Sequence, residues 1–171
     1  EMNRSEVQKC PFKDWQTILT LEEALSKIKN WFPLLFLDFK TSENPKCKQD
    51  IPSLLEQLAT LIQAHHIESK VIISSYNQEF TKQLWTRNDL LSALDTHNSQ
   101  DIKNLSWSNF SYFMTDHANF TPTLLEQTQL AGVDAVAYTV NSISIAKKLK
   151  EIWVRFIMTD KLKEIRKALE N

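Results

Sequence analysis

Asp38 and Lys40 stand two residues apart in Leu37-Asp38-Phe39-Lys40, at the end of an apolar run that begins at Leu34. On a strand that spacing points both side chains to one side of the sheet. Two opposite charges in such a run are costly unless they pair or lie at an end open to water. A structural ion pair and a charged site on the rim of a sheet are therefore the two readings of this pair. Small polar residues also follow the other apolar runs where a helix should start. In Ser74-Ser75-Tyr76-Asn77, Ser75 is either a rim donor or a helix cap. Asp95-Thr96-His97 and Thr115-Asp116-His117 each follow a strand-like run, so His97 and His117 could face the same rim. The plainer alternative for each is a loop histidine bonded to its neighbouring aspartate. His65-His66 reads as a solvated pair at a helix end, where an imidazolium meets the negative pole.

The elements that must position these groups alternate helix and strand, which favours a parallel sheet with crossover helices. Thr20-Leu21-Glu22-Glu23 has capping-box spacing and predicts a helix over about 20–30. Pro33 ends it, and the run at 34–39 is apolar enough for a strand buried on both faces. Asp50-Ile51-Pro52 opens a second helix, whose Leu54, Leu55, Leu58, Leu61 and Ile62 keep the helical period. Val71 to Ile73 is a β-branched strand, and Asn77 can cap the helix that carries Phe80 and Leu84. Weaker strands lie near 90–94 and 109–114, with an ambiguous segment around Trp107. Thr121-Pro122 opens another helix; Val133 to Thr139 and Trp153 to Met158 are the last strands. Asn141 and Asp160 are placed to cap the helices after them. The tryptophans at 15, 31, 85, 107 and 153 read as packing anchors.

Six strands in this pattern predict an α/β chain forming an incomplete (β/α)8 TIM barrel, strands three to eight with their helices, as one domain over 1–171. A full barrel takes about 250 residues and keeps its chemistry at the C-terminal ends of its strands, so roughly 80 residues would be missing. The opening Glu1-Met2-Asn3 fits an earlier segment having been removed, processed or left out. Twenty Lys and Arg against 21 Asp and Glu give a net charge of -1. That balance supplies no field for nucleic acid or an anionic membrane, so an anionic ligand must be held locally. No apolar stretch has the length of a membrane span. With Gly132 the sole glycine, a glycine-rich phosphate loop is ruled out, and the two cysteines have no metal-site spacing.

Five segments occur in order with barrel spacing: Thr20-Leu21-Glu22-Glu23-Ala24-Leu25, Leu37-Asp38-Phe39-Lys40, Ile73-Ser74-Ser75-Tyr76-Asn77, Ala137-Tyr138-Thr139-Val140-Asn141 and Phe156-Ile157-Met158-Thr159-Asp160. Together they resemble the glycerophosphodiester phosphodiesterase family over nearly all of 18–169. The resemblance implies a barrel that hydrolyses a small glycerophosphodiester to glycerol 3-phosphate and an alcohol, with a divalent cation, Mg²⁺ or Ca²⁺, at its mouth. Asp38 falls on the position of the family's metal-binding glutamate, one methylene shorter, and Lys40 on its lysine. Tyr138 stands where the family usually has a tryptophan lining the substrate pocket, and its hydroxyl adds a phosphate donor. Ser75 and His117 join it as expected substrate contacts.

The family's first two strands bring a catalytic His with an Arg, a metal-binding Glu and Asp, and a second His, and none of those motifs is present here. The expectation is that this chain alone gives no useful turnover and that a companion segment of the same protein completes the site. The alternative is a non-catalytic barrel remnant that binds. An unclosed barrel leaves strand edges open beside 34–39 and 154–158. Barrel geometry also brings Cys10 and Cys47 to one rim; a disulfide there would imply an oxidising, extracytoplasmic compartment, and two free thiols are the other reading.

Overall fold

The structure, a computed structural model, describes residues 18–40, 50–96 and 109–170. Its elements run α1 (Leu21–Ile28), β1 (Leu35–Asp38), α2 (Ile51–Ala64), β2 (Val71–Ser74), α3 (Gln78–Trp85), β3 (Leu91–Asp95), β4 (Tyr112–Asp116), α4 (Pro122–Leu130), β5 (Asp134–Tyr138), α5 (Ile143–Glu151), β6 (Phe156–Ile157) and α6 (Leu162–Glu170). A short 3₁₀ turn, His117–Asn119, follows β4. The six strands form one sheet in sequence order, and every neighbouring pair is parallel. Cys10, Cys47, His97, Trp15 and Trp107 lie outside the described residues. No helix among the described residues is long and apolar enough to cross a membrane.

Local chemistry starts the helices. Thr20 and Glu23 exchange the reciprocal bonds of a capping box, Thr20 N to Glu23 Oε2 at 2.7 Å and Glu23 N to Thr20 Oγ1 at 3.2 Å. Asp50, Asn77 and Thr121 each accept the backbone N–H three residues on, at 3.1, 2.8 and 3.1 Å. Three helices close with paired bonds of the same kind. Ile67, Val133 and Val154 donate back to Ile62, Thr128 and Leu149, while His66, Gly132 and Trp153 donate to Gln63, Gln129 and Lys150. The residue turning each corner has a left-handed backbone, φ 54° at His66, 69° at Gly132 and 67° at Trp153. Only glycine takes that conformation without steric cost.

Strand alternation then sorts the apolar residues into two layers. Val71 and Ile73 face outward onto the helices with Leu25, Leu58, Ile62 and Phe80. Ile72, Ala93, Met114 and Val136 face inward, joined by Leu34, Phe36, Tyr112, Phe156 and Met158. The inner aromatics meet edge-on, Tyr112 touching Phe36 at 5.6 Å and Phe156 at 5.7 Å between centroids. Asp38 and Lys40 share the parity of Leu34 and Phe36, which sets them on the inner face at the C-terminal end of β1.

Several expectations need correction. β1 is half-buried rather than buried on both faces, because it is an edge of the described sheet. The strand expected over 153–158 shortens to Phe156–Ile157, since Trp153 and Val154 are spent on the helix ending. Trp153 and Trp31 are 82% and 76% exposed, so neither anchors packing; the left-handed corner turns Trp153 outward. Trp85 does pack, tilted against Phe110 at 6.1 Å. Asn141 caps no helix: Ser142 holds that position, and Asn141 instead donates to Asp160 Oδ2 at 2.8 Å and accepts from the Asp160 N–H at 3.0 Å. Asp160 is thereby engaged with the loop after β5, and α6 begins two residues beyond it.

Candidate functional site at the strand C-termini

Four strands deliver polar side chains to one patch of the inner rim. Lys40 Nζ lies 2.5 Å from Asp38 Oδ2 and 4.8 Å from the centre of the Tyr76 ring. The Tyr76 and Tyr138 hydroxyls are 2.9 Å apart, and Tyr138 Oη donates to Asp95 Oδ1 at 2.6 Å. The cluster therefore runs Asp38, Lys40, Tyr76, Tyr138, Asp95, drawn from β1, the loop after β2, β5 and β3. The register explains the meeting. Asp38 pairs with Ser74 and Ile72 with Leu91, and those registers carried onward set Lys40, Tyr76 and Asp95 in one row at the rim.

Electrostatics grade from wet to dry across the patch. Lys40 and Asp38 keep 66% and 45% of their side-chain surface open, which makes their bond a screened surface pair. The Asp38 bond, partly offset by desolvation, holds the Lys40 ammonium above its usual pKa. At the other end Asp95 is buried. Burial, then the Asp95 bond, pushes the Tyr138 phenol far above the ordinary range, so it keeps its proton at every physiological pH. Its proton is directed to Asp95 Oδ1.

Of the expected site residues, Lys40, Asp38 and Tyr138 are brought together and Ser75 and His117 are not. Ser75 is buried and its hydroxyl is spent locally, donating to the Phe39 carbonyl at 2.7 Å and accepting from Asn77 N at 3.1 Å. It ties the rim end of β1 to that of β2 and so sets where Lys40 begins. His117 heads the 3₁₀ turn after β4, with Nδ1 3.4 Å from Asp116 Oδ1 in a contact too poorly aligned for a hydrogen bond. Asp116 Oδ1 itself takes the Ala118 N–H at 2.8 Å. His65 lies at the C-terminal end of α2, with Nδ1 3.5 Å from Lys29 Nζ, away from the strand C-termini. Two members were missed from sequence, Tyr76 and Asp95. The signal for Asp95 was there: Leu91, Ala93 and Asp95 alternate onto one face, as Phe36 and Asp38 do.

A divalent cation needs six or more oxygen ligands in most sites. Among the described residues no group of three or more His, Cys, Asp or Glu side chains is placed to hold a metal ion. Asp38 is beside an ammonium and Asp95 carries the Tyr138 phenol. The described residues by themselves do not fit such an ion.

With the geometry in view, similarity to solved structures is extensive. A glycerophosphodiester phosphodiesterase from Parabacteroides distasonis superposes with a TM-score of 0.81 over 99% of this chain and 71% of its own, at 16% identity. An Oleispira antarctica phosphodiesterase, in complex with the product sn-glycerol-3-phosphate, gives 0.78 over 98% and 70%, at 19% identity. The fold is that of the glycerophosphodiester phosphodiesterases. A Silicibacter pomeroyi chain described as a candidate glycerophosphoryl diester phosphodiesterase matches with a TM-score of 0.75 at 14% identity over 88% of this chain, which spans 55% of its length. The six described strands are thus the larger part of a TIM barrel and not a whole one. No family model matches the chain, and no curated protein matches it.

Proposed function

We propose that this chain supplies strands three to eight of a glycerophosphodiesterase barrel, and that the complete protein hydrolyses glycerophosphodiesters to glycerol 3-phosphate and an alcohol. The observation that carries the reading is the convergence of Lys40, Asp38, Tyr76, Tyr138 and Asp95 on the inner rim at the strand C-termini. Packing does not require polar groups from four strands to meet there, and barrel enzymes work at that end. Fold likeness alone would not specify a reaction.

The chain's own groups support binding and charge control. Lys40 is the exposed cation of the cluster and exchanges Asp38 for a phosphoryl oxygen when substrate enters, with Asp38 keeping the ammonium in place beforehand. Tyr76 and Tyr138 wall the pocket beside it. The acid and base, and the further ligands of any divalent cation shared with Asp38, come from the first two strands of the complete protein. A second reading, a non-catalytic binding barrel, is favoured by one observation: both rim carboxylates are already bonded, Asp38 to Lys40 and Asp95 to Tyr138.

The test is release of glycerol 3-phosphate from glycerophosphocholine by the complete protein, with and without EDTA, beside Lys40→Ala. Metal-dependent turnover that falls at least tenfold in the variant is expected. A complete protein that binds the diester without hydrolysing it would overturn catalysis in favour of the second reading, and one that does neither would overturn both.

A further inference from the structure

The base of the barrel, opposite the rim, carries a cavity of its own. It opens between the C-terminal ends of α4 and α5, over the start of β5, with a volume of about 510 Å³. That size lies within the range of small-molecule sites. Leu125, Val133, Ala135 and Val154 make its surface mainly apolar, and the one hydroxyl in its lining, that of Thr128, is spent on the Leu125 carbonyl at 2.8 Å. Trp153 lines the same cavity, although the residue is 82% exposed. Its backbone is left-handed at φ 67°, so an exposed indole and a strained corner are kept at one position. Packing within the chain benefits from neither.

Charge in the lining is unbalanced, two cations, Lys150 and Arg155, against one carboxylate, Asp134. Both Asp134 oxygens are met by a single guanidinium nitrogen, Arg155 Nη1, at 3.1 and 2.9 Å, which leaves the other nitrogens of Arg155 as donors. Lys150 Nζ gives one N–H to the Leu169 carbonyl at 2.5 Å and has two more. We propose that this cavity binds a small aromatic acid, its ring against Trp153 and the apolar floor and its carboxylate between Lys150 and Arg155. Lysine and arginine only donate, so they suit an anion and repel a cation. A flat apolar body gains from an indole wall and from a floor without spare hydroxyls. A broad partner surface would leave the concave floor unfilled, so the occupant is a small molecule. The proposal is independent of the reaction assigned to the opposite rim.

Binding is read by NMR titration of the full chain with 2-naphthoate, its neutral amide 2-naphthamide, and acetate. The backbone amides of Val133, Ala135 and Val154 and the Trp153 indole N–H report on the cavity. Saturable shifts at these groups are expected with naphthoate. Naphthamide should bind about three- to tenfold more weakly for want of the charge, and acetate, which lacks the ring, should not saturate. Trp153→Gly should weaken both naphthyl probes alike, about two- to tenfold, with the urea midpoint showing that the variant stays folded. Lys150→Met should weaken naphthoate alone. Equal binding of naphthoate and naphthamide would overturn the role of the cations, and unchanged affinity in Trp153→Gly would overturn that of the indole. Shifts that fail to saturate, or that fall outside the cavity, would overturn the site. Shifts at these groups that follow protein concentration with no probe present would assign the cavity to a second copy of the chain and overturn it as well.

Discussion

Two adjacent serines, both buried, should respond in opposite ways to loss of a hydroxyl. Ser75 Oγ donates to the Phe39 carbonyl and accepts from the Asn77 N–H, whereas Ser74 Oγ has no hydrogen-bond partner among the described residues. Ser75→Ala removes two bonds worth about 1 kcal/mol each and strands a carbonyl at a partly buried site, for a total of about 2–3 kcal/mol. Ser74→Ala removes a hydroxyl whose burial is uncompensated, so stability should hold or rise by up to about 1 kcal/mol. In urea, with a slope of about 2 kcal/mol per molar, the Ser75→Ala midpoint should fall by about 1–1.5 M while that of Ser74→Ala does not fall. Because Phe39 precedes Lys40, Ser75→Ala should also weaken phosphate binding, and Ser74→Ala should not. Equal losses in the two variants would refute the reasoning, since the serines would then matter for their volume rather than for their bonds.

Other outcomes follow from the same geometry. Phe80 is fully buried and stacks on Phe39 at 5.1 Å, so Phe80→Ala should cost about 3–5 kcal/mol in the same titration. Trp153→Gly should leave stability unchanged or raise it by up to about 1 kcal/mol, because the exposed ring packs little and glycine relieves the left-handed corner. Tyrosinate absorbance should include a phenol titrating well above 10 that is lost in Tyr138→Phe. The sign for stability is that the folded state holds that proton more tightly than the unfolded one. The contribution is therefore complete below the unfolded pKa near 10 and is lost as pH rises beyond it.

What could be read from sequence was what depends on near neighbours. The caps at Thr20, Asp50, Asn77 and Thr121 formed as expected because each bond spans three residues. The inward aim of Asp38 and Lys40 followed from strand parity, which is equally local. Asn141 failed for a reason of the same kind: the cap signal was present, but Asp160, 19 residues on, offered a charged partner that the cap could not match. Hydrophobicity misled at Trp153, where the backbone's need to end α5 overrode the side chain's preference for burial.

The site was legible only where a strand announced it. Lys40 and Asp38 stand out because charge interrupts an apolar run, and Tyr138 because its segment matched a family pattern. Tyr76 lies in a matching segment too, but an exposed tyrosine in a loop and a strand-ending aspartate such as Asp95 are common alone. They matter because bonds across 62 and 43 residues of chain join them to Tyr138. Only the closing curvature of a parallel sheet brings such positions together.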